Sequence, residues 1–372
     1  MTSIRNLFYP FVPVGHLKVW VLAPALDNPD PNLAYYYDFS QSIEEYTQVF
    51  EELDLPWKWQ SVSLETVKMI VQEIAQEREQ GIYFPVVLNL CDGDEINGAP
   101  GLSVIKALDA KQLVYTGANH HFYDITTSKI PMKEAFDLAG VSTPKWVAIR
   151  NNKINVEEVI TNLGSPVIVK PAVSGGSLGV GIKNVVESPT ELKVQLAKMF
   201  EGYRGWNLAS DGILAESFIE GPEYTVMIVG SHTHPKYAKI YPPIERVFHA
   251  SLPEKEKFLS FDRLWEIYEE ETPMPEEESF YQYQLGDESI KMAIQKISWD
   301  AYVAVNGTGY TRVDVRICNK TGIPYVLEVN AQCGISEDEN FTSIGAILRY
   351  AKQSFSELVV HIINDAFLRR KK

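Results

Sequence analysis

Cysteine and long apolar runs are both scarce in this chain of 372 residues. The three cysteines, Cys91, Cys318 and Cys333, lie far apart and form no CxxC pair. The sequence therefore offers neither a disulfide framework nor a cysteine-based metal site. No segment has the length and apolarity of a membrane span, and prolines and a histidine interrupt the first twenty residues, where a signal peptide needs an apolar core. These absences favour a cytoplasmic protein that does not bind membranes.

Positively charged residues are also few relative to negatively charged ones. The chain has 34 lysines and arginines against 49 aspartates and glutamates, which gives a formal net charge of −15. This balance argues against non-specific binding to nucleic acids or to membrane surfaces. An acidic protein that handles a polyphosphate must concentrate cations locally, so the lysines and arginines that fall inside motifs are the informative ones.

Neither a Walker A motif nor a dinucleotide fingerprint is present. Instead, an apolar strand over residues 166–171 contains Lys170 near its end and is followed by the glycine-rich stretch 174–181. Glycines let backbone N–H groups approach phosphate oxygens closely. A glycine-rich hairpin without any ligand is the commoner alternative, so this motif alone decides nothing.

The N-terminal part alternates strands with helices. Residues 18–24 and 85–91 read as buried strands, while 38–53 and 63–78 have helical spacing of apolar residues. This order predicts an α/β domain with a parallel sheet. Glycines at 93, 98 and 101 mark a loop past the second strand, where such sheets bind ligands; a plain connecting loop fits equally well.

Two strands near the C-terminus carry the strongest signal. Residues 311–317 and 325–329 alternate in period two around the turn 319–322, which predicts a hairpin. If the polar faces of both strands coincide, they bring together Arg312, Asp314, Arg316, Glu328 and Asn330. Carboxylate and carboxamide oxygens suit Mg²⁺ bound together with substrate phosphates. A solvated strand face with ordinary ion pairs is the alternative.

The remaining segments predict further elements. A helix over 127–139 carries Lys129 and Lys133, and two strands within 213–229 place Glu216 and Glu223 on either side of a turn. Surface positions are the alternative for both glutamates. Residues 231–288 predict a polar insertion that serves as a lid and contains one helix. Amphipathic helices over 287–305 and 355–368 follow.

Taken in order, these pieces resemble the D-alanine–D-alanine ligase branch of the ATP-grasp superfamily. The resemblance runs from residue 89 to the C-terminus and depends on the joint order of NLCDG, YTGAN, SKIPMKEAFDLAGVSTPKW, PVIVKPAVSGGSLGVG, LAESFIEGPEYTV, TRVDV, LEVNAQCG and SFSELV. It implies mixed α/β and α+β architecture in the ATP-grasp fold, with a Rossmann-like N-terminal domain (1–125), a small central lobe (126–208) and a C-terminal lobe (209–372) that includes the lid. ATP is expected between the last two.

The resemblance also implies site roles, residue by residue. Lys129 and Lys170 fall where the family contacts phosphates, Glu223 where a carboxylate binds ribose hydroxyls, and Arg312 and Gly334 where developing negative charge is held. The phosphate-covering loop maps onto Gly175, Gly176, Ser177 and Gly179. The adenine side maps onto Glu216, Ser217, Phe218 and Ile219, where the Glu216 carboxylate and backbone groups read the amino edge. The Mg²⁺ ligands, with Mn²⁺ as an alternative ion, map onto Asp314, Glu328 and Asn330.

On the substrate side the chain departs from the family. The N-terminal Gly-Gly-x-Ser-x-Glu segment, whose acid binds the ammonium group of the first substrate, has no match in residues 23–31. The family's His-Gly is Asp92-Gly93, and a serine of the glycine-rich loop is Gly176. The lid's Lys-Tyr pair becomes Leu264-Trp265, so Arg263 is the nearest replacement cation.

The acceptor side is altered too. The Ser/Thr-rich run after Gly334 becomes residues 335–343, which contain Glu337, Asp338 and Glu339, although Thr342 and Ser343 remain. Acids there would repel a carboxylate and favour a cationic or hydroxylated acceptor.

These observations predict an ATP-dependent ligase that activates an acid oxygen as a phosphate and couples it to an amino-acid amine. Its partners are expected to be small-molecule acids and amino acids, and a homodimer is an arrangement that the family often adopts. The alternatives are a D-alanine–D-alanine ligase proper, a mycosporine-type amino-acid ligase, a small-molecule kinase and a nucleotide-binding regulatory protein.

Overall fold

Three β-sheets organise the protein. The computed structural model describes residues 4–8, 10–26, 38–202, 206–264, 272, 274, 278–338 and 342–370. Residues 27–31 of the altered N-terminal segment, Trp265 of the lid pair and Glu339 of the acidic run lie outside these ranges. Across the described residues, no helix combines the length and apolarity that a membrane span requires.

The first sheet is parallel, with strand order β2-β1-β3-β4, as the alternating pattern predicted. Its strands are β1 (Leu17–Pro24), β2 (Trp57–Val62), β3 (Phe84–Asn89) and β4 (Val114–Tyr115). The helices around it are α1 (Ser40–Glu52), α2 (Val67–Gln80), α3 (Leu102–Ala110) and α4 (His120–Thr127). Strand β2 was not predicted, because it is an edge strand that is mostly half-buried and lacks a continuous apolar run.

The second, central sheet is antiparallel, with order β5-β8-β6-β7. Helix α5 (Lys129–Ala139) precedes β5 (Trp146–Ile149), α6 (Val156–Leu163), β6 (Val167–Pro171), β7 (Val185–Val186), α7 (Pro189–Glu201) and β8 (Ile213–Ser217). Helices α6 and α7 pack on one face around their own apolar core. The opposite face carries Lys170 and Glu216. Strand β8 lies within residues 209–372, the range predicted for the C-terminal lobe, but it pairs with β5 and β6 of the central sheet.

The third sheet has six strands, in the order β12-β11-β9-β13-β14 with β10 paired to β9. They are β9 (Glu223–Val229), β10 (Lys239–Ile240), β11 (Ile244–Phe248), β12 (Tyr281–Leu285), β13 (Tyr310–Ile317) and β14 (Pro324–Ala331). Its helices are α8 (Phe261–Leu264), α9 (Glu288–Ala304), α10 (Ser343–Ala351) and α11 (Phe355–Arg370). The predicted lid insertion therefore supplies three strands and, in its described part, the single-turn α8.

The first and third sheets share two apolar cores. Alternate residues of β1 enter different cores: Val19 and Val21 pack with α1, α10 and α11, whereas Trp20 and Leu22 pack with α2, α3 and α9. This follows from the period-two direction of strand side chains. The two sheets are consequently fixed to each other, and the central sheet lies against them with a separate core.

Helix α11 closes the fold by returning to the N-terminal sheet. Asn364 donates a hydrogen bond to the carbonyl of Leu7 at 2.7 Å. Arg369 and Arg370 donate to the carbonyls of Tyr115 and Leu113 at 3.0 and 2.8 Å. The basic end of α11 is thereby held against the first sheet.

Candidate active site

A cleft of about 480 Å³ lies between the central sheet and the C-terminal sheet. Most residues predicted for nucleotide and metal binding line it: Lys129, Lys170, Gly175, Gly176, Ser177, Glu216, Ser217, Phe218, Ile219, Glu223, Arg312, Asp314, Glu328, Asn330 and Gly334. Gly179 and Arg263 are not among the lining residues. The cleft therefore brings together predicted residues that are up to 205 positions apart in the sequence, from Lys129 to Gly334.

The β13–β14 hairpin forms one wall of the cleft as predicted. Asp314 lies directly opposite Glu328, and Arg312 lies opposite Asn330. The Arg312 guanidinium contacts the Asp314 carboxylate at 3.2 Å, and the Asn330 amide donates to the same carboxylate at 3.1 Å. The register shifts just beyond Asp314, so that Leu327 forms a bulge. Bulges often re-aim side chains beside active sites, and this one lets Leu327 and Glu328 both reach the cleft.

Oxygen donors on this hairpin suit a magnesium ion. Mg²⁺ is usually held by one or two carboxylates, with substrate phosphates and water completing the octahedron. Asp314, Glu328 and the Asn330 carboxamide supply that type of donor set. Among the described residues, no group of three or more His, Cys, Asp or Glu side chains is placed to hold a metal ion by itself.

Lys129 connects the glycine-rich loop to this hairpin. Its ammonium group donates to the backbone carbonyl of Ser174 at 3.1 Å and lies 3.6 Å from Glu328 Oε2. The loop itself turns at Gly176 and Ser177, whose φ angles are +54° and +61°. Only glycine adopts this left-handed region without cost. The loop thus presents its backbone to the cleft, between Lys129 and Lys170.

Gly179 packs this loop against the Leu208 and Pro171 side chains. Its φ is +72°, and an added Cβ would lie 2.8 Å from the Leu208 side chain and 3.0 Å from Pro171. Its carbonyl accepts a hydrogen bond from Asn184 at 2.9 Å. The residue is therefore placed for close packing, whereas Gly175 and Gly176 face open space.

Glu216 is held between two lysines. Its carboxylate forms a short hydrogen bond with Lys170 and lies 3.0 Å from the ammonium of Lys133. Burial by itself would raise the pKa of the Glu216 carboxyl, but Lys133 and Lys170 outweigh burial and lower that pKa to about 2. The sequence places Lys133 on this helix but indicates no role for it, because helical spacing does not show which face of α5 meets Glu216.

This pKa gives a first testable expectation. Folding lowers the Glu216 pKa from its ordinary 4.5, so the carboxylate stabilises the protein above pH 4.5 and this contribution is lost as the pH falls towards 2. The difference corresponds to about 3 kcal/mol. We expect Glu216→Gln to be less stable than the unmutated protein near neutral pH, and the gap to close by about pH 2. Urea unfolding at stepped pH measures this, with the exposed Glu288→Gln as control; parallel curves for all three proteins would contradict it.

Glu223 occupies the middle of a row of charges across three strands. Arg246 on β11 and Arg316 on β13 are its neighbours in register. Arg316 donates to Glu223 at 2.9 Å, and Arg246 also donates to it. Burial opposes ionisation of Glu223, but the two arginines outweigh it and lower its pKa. Arg246 lines the cleft and was missed, since a buried arginine interrupts the apolar alternation of β11.

The end of the cleft beside Glu223 is apolar. Phe218 and Phe258 lie edge to face with ring centroids 6.1 Å apart, and Ile168 packs against them. The N–H groups of Ser217 and Phe218 already donate to the carbonyls of Lys145 and Pro166. A flat aromatic ring would fit between such walls, but these two N–H groups are not free to bind its polar edge.

Arg263 is not brought to this cleft. The residue is buried, and its guanidinium lies 2.5 Å from the Glu256 carboxylate and 5.9 Å from the ring centre of Phe280. The expectation that Arg263 replaces the lid lysine therefore does not agree with the structure. Its charge is neutralised inside the insertion, and Arg246 is the insertion's cationic residue on the cleft wall.

Hydroxyl groups line the end of the cleft near Gly334. They belong to Ser42 of α1, to Ser336, and to Thr342 and Ser343 at the start of α10. The Thr342 hydroxyl caps this helix by accepting from the Gly345 N–H at 3.0 Å. Ser336 donates at 2.6 Å to Glu45, a buried carboxyl whose pKa is raised by burial. Helix α1 and the loop after β14 are thereby joined at this end.

Asp92 and Cys333 lie near the same end. Gln332, which precedes Cys333, donates to the carbonyl of Cys91 at 2.7 Å, so the loop that carries Asp92 lies against the Gln332–Gly334 turn. Neighbouring groups of this crevice desolvate the Asp92 carboxyl and raise its pKa, although the residue as a whole is exposed. Burial also raises the pKa of Cys333 to about 12, which keeps its thiol neutral at pH 7.

Comparison with known families agrees with this geometry. The family model described as "D-ala D-ala ligase C-terminus" matches residues 135–364, more than half of the chain. The chain belongs to this family. The match includes β6 and β8 of the central sheet and the β13–β14 hairpin, whereas the cleft residues Ser42 and Lys129 precede it.

Individual relatives extend the comparison. "D-alanine--D-alanine ligase A" of Bacillus cereus is 27% identical over 234 residues, which cover 62% of this chain and 65% of the relative, less than two thirds of its length. A crystal structure of D-alanine--D-alanine ligase from Bacillus anthracis complexed with ATP has a TM-score of 0.67 at 20% identity and covers 96% of this chain and 99% of that one. VanG D-Ala:D-Ser ligase from Enterococcus faecalis gives 0.66 at 16%, with coverage of 95% and 100%. The fold is therefore the ATP-grasp fold of these ligases, as the sequence predicted.

Proposed function

We propose that the protein is a Mg·ATP-dependent ligase that phosphorylates an acid oxygen and couples the activated group to an amino-acid amine, forming a C–N bond. The observation that carries this proposal is the joint placement of Lys129, Arg312, Asp314 and Glu328 around one cleft. Nucleotide binding alone scarcely requires a metal-type donor set and an arginine together. The names of the relatives support the same class of reaction.

The chemistry assigned to this cleft needs little covalent help from the protein. The acid oxygen attacks the γ-phosphorus of ATP, the bond to the β–γ bridging oxygen breaks, and ADP leaves. The amine then attacks the activated carbon, the C–N bond forms, phosphate departs and the amine loses a proton. When bound, Mg²⁺ would neutralise charge on the phosphate oxygens.

Residues of the chain supply the remaining electrostatic stabilisation. Lys129 and Lys170 neutralise the phosphates, and the glycine-rich loop shields them from water. Arg312 and the N–H of Gly334 hold the negative charge that develops on the acyl group. Preorganised donors of this kind are worth about 3–4 kcal/mol of barrier each. The carboxylate of Glu223 is assigned to the ribose, together with its two arginines.

The acceptor is proposed to be cationic or hydroxylated. Ser42, Ser336, Thr342 and Ser343 give the substrate end hydroxyl donors and acceptors, while Asp338 and Glu45 add negative charge behind them. A free carboxylate on the acceptor would meet repulsion there, whereas an ammonium or hydroxyl group would be favoured.

Incubation with Mg·ATP tests the proposal directly. Pools of amino acids, in the presence of small organic acids, should raise ADP and phosphate release, and mass spectrometry should find a product lighter by one water than the sum of its parents. Product formation that needs no amine and stops at a phosphorylated acid would instead indicate a kinase. Absence of any ADP release with every pool would favour a nucleotide-binding regulatory protein.

D-alanine–D-alanine ligation is the second candidate, favoured by the names of the relatives. Its test is release of phosphate with D-alanine as the sole addition. The substitutions at Asp92, Gly176 and the acidic run after Gly334 speak against it, since they change the groups that would meet the two amino acids. A cytoplasmic location and a homodimer stay predictions.

A further inference from the structure

Lys133 is a lysine without contact to solvent. Its side chain is fully buried, at 0% exposure, and it is not among the residues that line the cleft. It donates to the Thr143 hydroxyl at 2.5 Å and to the backbone carbonyl of Val326 at 3.4 Å. Its ammonium group also lies 3.0 Å from Glu216. A buried ammonium is costly unless paired and hydrogen-bonded, and these contacts meet that condition.

The three partners of Lys133 lie on elements from both sides of the cleft. Glu216 is on β8 of the central sheet, and Val326 is on β14, two residues before the predicted metal ligand Glu328. Thr143 also donates to the Val326 carbonyl, at 2.8 Å. Lys133 therefore sits where the phosphate-binding wall meets the metal-binding wall, one helical turn after Lys129 on the same helix α5.

Charge balance explains why a second lysine is needed here. Lys170 reaches the cleft but is hydrogen-bonded to the Glu216 carboxylate. With Glu216 alone, Lys170 would form a neutral pair and would offer little net charge to a phosphate. Burial lowers the pKa of Lys133, and the adjacent Glu216 carboxylate opposes that shift. With Lys133 protonated, the three side chains together carry +1. Glu216 holds Lys170 in place, while Lys133 offsets the negative charge of Glu216.

The geometry points to Lys133 as a positioning residue for the nucleotide phosphates, which acts through Glu216 on Lys170 and never touches the ligand. The inference rests on the proposed nucleotide site. It also gives the Glu216 carboxylate a task different from reading the adenine edge, because its two oxygens contact the ammonium groups of Lys133 and Lys170, and its own side chain is only 1% exposed.

Binding of Mg·ADP and of adenosine, measured by calorimetry on the full-length chain, tests this inference. Lys133→Met should weaken Mg·ADP binding roughly 10- to 100-fold, the size expected for a lost hydrogen bond between charged groups. Adenosine, which has no phosphate, should bind as it does to the unmutated protein. In turnover, KM for ATP should rise while KM for the acid substrate stays constant.

Two further variants separate positioning from general stability. Lys18→Met removes a comparable Lys–Glu ion pair, with Glu77 at 2.8 Å, from the N-terminal sheet, and should leave both ligands unaffected. If Lys133→Met does not fold, Lys133→Gln removes the charge but retains donors for Thr143 and Val326, and the same loss of Mg·ADP affinity is expected. Lys133→Arg, which retains the charge, should recover affinity.

The outcomes distinguish this inference from the proposed function. Suppose that the unmutated protein binds Mg·ADP. If Lys133→Met binds Mg·ADP equally well, or if its affinity for adenosine falls as much as its affinity for Mg·ADP, the positioning role is wrong while the ligase proposal stands. If the unmutated protein binds no Mg·ADP at all, the proposed function is wrong, and the role inferred for Lys133 is wrong as well.

Discussion

Replacement of Glu328 by glutamine is expected to lower kcat/KM for phosphate release at least about 100-fold, or about 2.7 kcal/mol of transition-state stabilisation. The substitution keeps the shape of the side chain but removes one of two carboxylates available to Mg²⁺, together with the ion pair to Lys129. Coupled assay of phosphate over a range of Mg²⁺ concentrations measures the effect. Excess Mg²⁺ should restore part of the activity, because the weakened site needs more metal to fill.

Loss of stability does not account for such a result. The Glu328–Lys129 pair is 3.6 Å long and partly exposed, and exposed pairs contribute about 0–1 kcal/mol. Glu328→Gln should therefore unfold within a few degrees of the unmutated protein. Glu220→Gln, which removes the surface pair with Lys320 at 3.7 Å, is the matched control. Phosphate release by Glu328→Gln at the rate of that control would refute the metal assignment.

Replacement of Arg312 by methionine is expected to reduce kcat about 100- to 1,000-fold, the range seen when a single preorganised donor to a developing oxyanion is removed. Methionine preserves the apolar stem of the side chain, so the change is mainly the loss of the guanidinium that contacts Asp314 at 3.2 Å. The effect should fall on kcat, while KM for ATP changes much less. Single-turnover measurement of ADP formation separates the chemical step from nucleotide binding.

An exposed arginine provides the control for this variant. Arg150 pairs with Asp211 at 3.1 Å, and its side chain is 58% exposed. Arg150→Met should retain full activity. If Arg312→Met raises KM for ATP and leaves kcat intact, Arg312 serves to bind the nucleotide and the assigned role in holding acyl charge is wrong.

The hairpin shows why part of this site could be predicted from sequence. Side chains of a strand alternate strictly, so the polar residues at 312, 314 and 316 had to share a face whatever the tertiary context. The structure agrees, with Asp314 opposite Glu328. The turn at Gly176 was also predictable from sequence, since its left-handed conformation favours glycine, whereas nothing in the sequence indicates that Ser177 adopts the same region.

Contacts between distant segments could not be predicted in this way. Which face of α5 meets β8 decides that Lys133 reaches Glu216, and this depends on how the helix packs between two sheets. The register shift at Leu327 and the pairing of Arg246 with Glu223 depend likewise on neighbouring strands. The family resemblance alone predicted Arg263 at the cleft, and only the structure shows that its side chain is buried against Glu256 within the insertion.

The return of α11 to the first sheet has a consequence for the order in which this protein folds. Val19, Val21 and Val114 of that sheet share a core with Leu358, Ile362 and Phe367. During vectorial synthesis, the part of this face that α11 covers stays exposed until residues 355–370 have left the ribosome, whereas α1 is available to cover its share much earlier. The first sheet thus completes its native packing only after α11 has been synthesised.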